Sequence, residues 1–262
     1  MSPCVPTCLP APAVPAGLKQ ALRFAAAGVV LLAALLTLPV VRRRAWLSAC
    51  ARGLLRAIGV RLQAPRQRLD WRGVLVVANH SSWIDVLALT ALAPVRLVAK
   101  REVGKWPLIG GLARCSGALF IDRAGLRALP GTIAELSAAL REGDAVAVFP
   151  EGTTWCGTAA GPFRRAAFQA ALQAGAPVRP VAISFRNPSG APTQAAAFVG
   201  EQSLLDSTIR LLRTPGLSCE LTILPDLAPI GDRRALARRA ETAIARVTGV
   251  EHGSGPSQAL AA

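Results

Sequence analysis

The pattern of hydrophobic and polar positions changes texture three times along the chain. Residues 24 to 41, FAAAGVVLLAALLTLPVV, hold eighteen positions without a charge. Such a run is long enough to span a bilayer or to lie as a hairpin arm within one leaflet. It is flanked by Lys19 and Arg23 on one side and by Arg42, Arg43 and Arg44 on the other. A basic end rather than a small-residue cleavage site argues against a signal peptide, which leaves a buried core helix as the alternative to membrane insertion. The next stretch, AWLSACARGLLRAIGVRL, spaces Leu47, Cys50, Leu54, Ile58 and Leu62 at threes and fours, with Arg52 and Arg56 on another face. That spacing predicts a basic amphipathic helix suited to an anionic membrane surface.

From residue 73 onward, short apolar runs alternate with helical ones. VLVVA (74–78), VRLVA (95–99), ALFI (118–121), AVAVF (145–149), VRPVAISF (178–185) and CELTIL (219–224) read as strands. Helical periodicity falls near 83–92, 126–141, 163–174, 201–212 and 232–247. The alternation predicts an α/β fold, a mixed, largely parallel sheet flanked by helices, preceded by an N-terminal membrane-associated helical element. The expected organisation is a disordered leader over 1–17, which has five prolines and no charge, then membrane-anchoring helices over 18–62. An α/β domain follows over 63–250, and 251–262 is expected to be a disordered tail in which His252 has no role.

Composition sharpens the membrane reading. Hydrophobic residues make up 52% of the 262 positions and charged residues 17%, and the mean hydropathy is +0.40. The net charge of +15 suits a polyanionic partner, either nucleic acid or anionic lipid, and charge alone does not choose between them. Residues 42 to 72 carry nine arginines and one acid, Asp70. By the positive-inside bias, everything after residue 42 is expected on the cytoplasmic side of the cytoplasmic membrane. The six cysteines include no Cys-x-x-Cys pair, which argues against zinc and against a disulfide framework and for free thiols in a reducing compartment.

The candidate chemistry begins in VVANHSSWIDVLAL, residues 76–89, where Asp85 follows His80 by five positions. On one continuous helix that spacing turns the two side chains roughly 140° apart. They can meet only if His80 stands on a turn at the strand end and Asp85 lies in the following helix, with Asn79, Ser81 or Ser82 as its cap. A carboxylate on one ring nitrogen would fix the tautomer and stabilise the imidazolium as the other nitrogen takes a proton. Taken alone, a histidine satisfied in a core or at a helix cap is the commoner arrangement. Three further blocks end or open strands: GALFIDR (117–123), VFPEGT (148–153) and APVRPVAI (176–183). One sheet edge could therefore gather His80, Arg123 and Glu151, with the arginine fork matched to phosphate oxygens or else ion-paired with Asp122 or Glu151.

In this order and spacing, NHSSWID, GALFIDR, FPEGT and PVRPV resemble the glycerolipid acyltransferase family, typified by 1-acylglycerol-3-phosphate acyltransferases. The resemblance spans residues 79–182, and the N-terminal apolar and basic helices look like the membrane-seating element of bacterial members. It implies His80 as general base toward the acceptor hydroxyl, with Asp85 orienting it, and direct attack on an acyl thioester without an acyl-enzyme. It implies Arg123 as the phosphate grip, Glu151, Gly152 and Thr153 as partners of the glycerol hydroxyls, Lys100 as an oxyanion donor and Arg164 as a cation near the acceptor. The implied partners are anionic membrane lipids, a lysolipid acceptor, and acyl-CoA or acyl carrier protein as co-substrate. No other cofactor, no metal and no nucleic acid are called for. The implied acceptor is lysophosphatidate, with lyso-ornithine lipid or another lysophospholipid as the alternative.

Two departures bear on that acceptor. Where many members have a basic residue after EGT, this chain has Thr154, Trp155 and Cys156, and Arg179 stands where an apolar residue is usual. Other function classes fit less well. A serine hydrolase would need a Gly-x-Ser-x-Gly elbow, which the sequence lacks. A non-enzymatic basic membrane or nucleic-acid binder would account for the charge and for the arginines of 232–247, but not for the strand-end motifs.

Overall fold

The structure is a computed structural model that describes residues 2–10, 14, 17–37, 44–65, 69–106, 109–121 and 128–253. Two helices, α1 (Leu18–Thr37) and α2 (Arg44–Ile58), lead into strand β1 (Arg61–Gln63). There follow β2 (Leu75–Ala78), α3 (Trp83–Leu92), β3 (Arg96–Lys100), α4 (Ile109–Cys115) and β4 (Leu119–Ile121). Next come α5 (Leu129–Arg141), β5 (Val146–Val148), α6 (Ala166–Ala174), β6 (Val178–Arg186), α7 (Leu204–Leu212), β7 (Ser218–Ile223) and α8 (Arg233–Thr248). The sheet has seven strands in the order β1-β7-β6-β2-β5-β3-β4. Every pairing is parallel except that of β6 with β7. The carboxyl ends of β2, β5, β3 and β4 therefore lie side by side on one edge, where α/β sheets keep their sites.

The two faces of β2 show why the sheet sits at the centre. Val74, Val76 and Ala78 pack with Leu55 and Ile58 of α2, Ile84 and Leu89 of α3 and Leu211 of α7. Leu75 and Val77 face the other way, toward Leu136 of α5, Phe168 of α6 and Leu236 of α8. A strand covered on both faces needs a continuous apolar run, which is what VLVVA supplies. Pro180 is tolerated inside β6 because its carbonyl points toward β7, where Leu224 N–H meets it at 2.9 Å. Its missing N–H would point to that same side, just before the β6–β7 ladder begins at Val181 and Ile223.

The predicted strands and helices within the α/β region all appear, and the first half of the chain differs from expectation in instructive ways. β1 was read as part of an amphipathic helix, but Gly59 (φ +87°) ends α2 and Leu62 enters the sheet beside Cys219. The α2 stripe that is buried runs through Ser48, Ala51, Leu55 and Ile58, while Leu47, Cys50 and Leu54 are only half-buried. Thus α2 belongs to the core as well as to the N-terminal element. The α4 helix was not anticipated, because IGGLARC is short and holds two glycines.

The leader also departs from expectation where it is described. Cys4 is buried against Cys156, Ala197 and Val199, its sulfur accepts the Cys156 N–H at 3.2 Å, and Ser2 Oγ donates to Thr154 O at 2.7 Å. A helical turn over Pro6–Cys8 follows.

Helix α1 has the length and hydropathy to cross a membrane, and only 11% of its apolar window is buried. Its 20 residues reach about 30 Å, the thickness of a hydrocarbon core. Leu18, Leu22, Phe24, Val29, Leu32 and Leu36 stand exposed, whereas Ala34 and Ala27 face the protein. A core helix would not leave such a row uncovered. Residues 38–43, which carry the basic flank, lie outside the described residues.

Leu55 and Leu32 separate the two roles of this element. Leu55→Ala should lower unfolding stability by about 2–5 kcal/mol in a denaturant titration. Leu32→Ala should stay within about 0.5 kcal/mol of the parent but bind vesicles less tightly. Equal stability losses would show that α1 is a packed core helix.

Candidate active site

Strand β2 ends at Ala78, and the next seven residues bring His80 and Asp85 together. Asn79 splints the strand end to β6: its side-chain amide donates to Ile183 O at 2.9 Å, and its carbonyl accepts the Ile183 N–H at 2.8 Å. His80 and Ser81 form the turn. Ser82, in an extended conformation, caps α3 by accepting the Ile84 N–H at 3.2 Å. Asp85 sits in the first helical turn and reaches back. Its Oδ2 accepts His80 Nδ1 at 3.0 Å and the N–H groups of Ser81 and Ser82 at 2.7 Å each. The spacing of five is thus met as anticipated, with the histidine on the turn and the aspartate in the helix.

This geometry sets the imidazole's chemistry. Asp85 is 1% exposed, and its carboxylate offers His80 only acceptor capacity, so Nδ1 carries the proton and Nε2 keeps a basic lone pair. The ring lies on Phe149 at the end of β5, with centroids 4.0 Å apart and planes 17° from parallel. The backbone of the turn is pinned from outside as well. Trp155 N–H donates to His80 O at 2.8 Å, and Phe198 N–H donates to Ser81 O at 2.7 Å. Thr154 Oγ1 donates to Phe198 O, and Arg210, buried on α7, donates to Ala195 O and Ala197 O, which ties down the loop that holds the turn.

Glu151 follows Phe149 by two residues on the neighbouring strand end and lines the same pocket as His80. It is 4% exposed and neither carboxyl oxygen has a hydrogen-bond partner. Burial pushes its carboxyl well above the ordinary carboxylate range; the nearby backbone N–H of His80 pulls the other way, and the charges of Asp85 and Glu241 add to the rise. Gly152 adopts φ +77°, and a Cβ there would sit 2.8 Å from Arg164 Nε, so the arginine side chain lies directly over the glycine. Arg164 also donates its backbone N–H to Pro150 O at 2.9 Å. Thr153 is half-buried beside them.

Lys100 stands apart from this group. It ends β3, two strands and so about 10 Å from the β2 end, and its ammonium pairs with Glu102 at 3.3 Å. Arg123 lies outside the described residues. Arg179, the second departure, is structural: it forms a two-pronged pair with Asp226 at 2.7 Å for each contact, donates to Asp70 O at 2.7 Å and stacks over Trp71. Among the described residues, no three His, Cys, Asp or Glu side chains gather as a metal site.

Two side chains with no expected role enter the picture. Phe149, in the FPEGT block beside Glu151, stacks on His80. His252, expected in a disordered tail, lines the same pocket as His80 and Glu151, with its side chain 1% exposed. Nothing local in EHGSG announces this, because the contact joins residues 91 positions apart. A second, more apolar cavity opens beyond Phe149 and Gly152, walled by Val98, Ile121, Leu129, Leu136 and Val148, with Arg164, Arg165 and Arg233 at its rim.

A buried aspartate holds a histidine at a parallel sheet edge, and the side-chain hydrogen bond described for the imidazole is the one to Asp85. Comparison with known proteins gives this arrangement its family. The profile of the family described as Acyltransferase matches residues 59–184. A lyso-ornithine lipid O-acyltransferase of Pseudomonas aeruginosa is 40% identical over 204 residues, covering 77% of this chain and 76% of that one. A 1-acyl-sn-glycerol-3-phosphate acyltransferase of Neisseria gonorrhoeae is 32% identical over 212 residues, covering 80% and 82%. The crystal structure of the 1-acyl-sn-glycerophosphate acyltransferase from Thermotoga maritima shares the fold, with a TM-score of 0.60 at 22% identity over 88% of this chain and 94% of that one. The chain belongs to the glycerolipid acyltransferase family and is an O-acyltransferase of the lysolipid type.

His80→Ala should lower thioester-dependent acyl transfer by about 10²–10⁴-fold, the usual contribution of a positioned general base. Asp85→Asn should also be slow, because its amide cannot accept from all three N–H groups in the same way. Activity within twofold of the parent in either variant, measured by free-thiol release, would remove the pair from the mechanism.

Proposed function

We propose that the protein, seated on the cytoplasmic face of a membrane by α1 and the exposed side of α2, transfers a fatty acyl group from a thioester to the hydroxyl of a lysolipid, with lyso-ornithine lipid as the acceptor. The observation that carries the reaction is the His80 imidazole, with Nδ1 tied to Asp85 and the ring lining a pocket that also holds Glu151. Nε2 takes the proton of the acceptor hydroxyl as its oxygen attacks the thioester carbonyl. The tetrahedral intermediate collapses, the C–S bond breaks, and the leaving thiolate recovers the proton from the imidazolium. The apolar cavity beyond Phe149 suits the acyl chain. The cations at its rim and along the edge, Arg164, Arg165, Arg233 and Lys100, suit a polyanionic carrier, coenzyme A or acyl carrier protein.

The acceptor assignment rests on the segment after Gly152. Thr154 is engaged by Phe198 O, and Trp155 presents a buried indole N–H without a partner in the pocket wall. A neutral donor in place of a cation suits a zwitterionic headgroup better than a phosphate monoester. The Pseudomonas aeruginosa relative points to the same acceptor. The second reading, lysophosphatidate, is favoured by the rim arginines and by the Neisseria gonorrhoeae relative.

Purified protein in vesicles, given acyl-CoA or acyl carrier protein thioester and each lysolipid in turn, separates the two. The expected result is thiol release at least tenfold more efficient, in kcat/KM, with lyso-ornithine lipid than with lysophosphatidate, a difference on the order of one lost charged hydrogen bond. The reverse preference would overturn the acceptor assignment. No thiol release with any lysolipid would overturn the reaction.

A further inference from the structure

His252 is a buried imidazole at the back of the active-site pocket for which the mechanism above has no use. Helix α8 ends at Gly249, whose φ of +69° turns the chain back across the pocket wall. The returning segment pairs with the loop after the FPEGT block: Ala160 and His252 form a parallel bridge, and Gly253 N–H donates to Ala160 O at 2.9 Å. His252 Nδ1 donates to Gly161 O at 2.9 Å, and the ring stands edge-on to Phe163 with centroids 4.8 Å apart. The same Nδ1 lies 3.7 Å from Glu151 Oε1, both side chains being 1% exposed.

We propose that His252 is a positioning residue for Glu151, holding its carboxyl in the orientation that receives the acceptor. The inference rests on the reading of this pocket as the lysolipid acceptor site. No side chain hydrogen-bonds the Glu151 carboxyl, and it has no room in solvent. With only the nearby His80 backbone N–H and the His252 edge beside it, the carboxyl is weakly held about its terminal torsion, and a pocket that must place one hydroxyl against His80 cannot tolerate that freedom. His252 restrains it from behind. Its donor is anchored on Gly161 O, so the ring cannot swing, and its Nδ1–H edge presents positive polarity to Oε1. Burial lowers the imidazole's proton affinity, which keeps the ring neutral and fixes Nδ1–H as the donor; the Gly161 carbonyl and the Glu241 charge oppose that shift. The contacts of His252 are with Glu151, Gly161 and Phe163, so its effect should fall on acceptor binding.

Steady-state kinetics of the full chain test this, with acceptor and thioester varied separately for the parent, His252→Ala and His252→Gln. In His252→Ala kcat/KM for the acceptor should fall about ten- to a hundredfold, chiefly through a rise in the acceptor KM, since misplacing a reactant by up to about an ångström costs up to about 10²-fold. The thioester KM should stay within twofold. In His252→Gln, whose amide can still donate to Gly161 O, most of the acceptor affinity should return. Should the alanine variant fail to fold, His252→Leu, which fills a similar volume without a donor, carries the same comparison. An unchanged acceptor KM, an equal rise for both substrates, or a glutamine variant no better than alanine would overturn the inference while leaving the reaction intact. A parent that releases no thiol with any lysolipid would overturn the functional reading and this inference with it.

Discussion

The active site depends on one buried oxygen. Asp85 Oδ2 accepts the imidazole N–H and the backbone N–H groups of Ser81 and Ser82. Burying a carboxylate is costly unless donors surround it, and here the donors come from the turn that carries the histidine. The aspartate therefore does two things through one atom. It fixes which ring nitrogen is basic, and it closes the N-terminus of α3, where the helix dipole also favours a negative charge. Strand β2, the turn and α3 cannot be rearranged without leaving that charge unpaired in the core.

Once the turn is fixed, the rest of the site follows from the strand order. Because β5 lies directly beside β2, Phe149 falls under the imidazole and Glu151 beside it. The segment after Gly152 then returns to the turn, where Trp155 N–H meets His80 O. Lys100 is one strand further away, and its distance from His80 is a consequence of sheet order that no linear reading of the motif blocks conveys. The edge is thus graded: His80 and Asp85 are held by several short contacts, whereas the Glu151 carboxyl has no hydrogen-bonded side chain beside it.

What the sequence made legible divides along the same line. VLVVA, the break at Asn79 and the helix from Trp83 are local signals, so the strand, the turn and the placement of Asp85 against His80 could be read directly. The α2 face was misassigned by one position because its buried stripe includes Ser48 and Ala51, which periodicity of large apolar residues does not weigh. Residues 61–63 were read as helix because a three-residue strand has too few positions to show alternation. Cys4 and His252 were invisible for a different reason. Each sits in a stretch whose composition reads as disordered, and each is held by contacts from residues far away in the chain. Composition measures how much apolar surface a segment can bury on its own. It does not measure how well a few residues fit a place already built by others.

The arginine content illustrates the same limit from the side of charge. A net charge of +15 invites the reading that every arginine serves a polyanion. Several do not. Arg179 is clamped between Asp226 and Trp71, Arg96 joins Asp144 and Gly117 O, and Arg186 pairs with Glu220. Arg210 is buried with its guanidinium turned onto the carbonyls of the loop that braces the His80 turn. A guanidinium suits that last task because its fork can meet two carbonyls at once, which an ammonium cannot do in the same geometry. Long-range attraction to an anionic surface depends on the summed field, which includes these residues, but contact with a headgroup or a carrier needs a cation at the surface. Exposed Arg56 on α2 and the rim of Arg164, Arg165 and Arg233 meet that condition, whereas Arg52 donates to Ala91 O. The basic character of the chain is therefore shared between arginines held by ion pairs and carbonyls within the fold and arginines left at the surface.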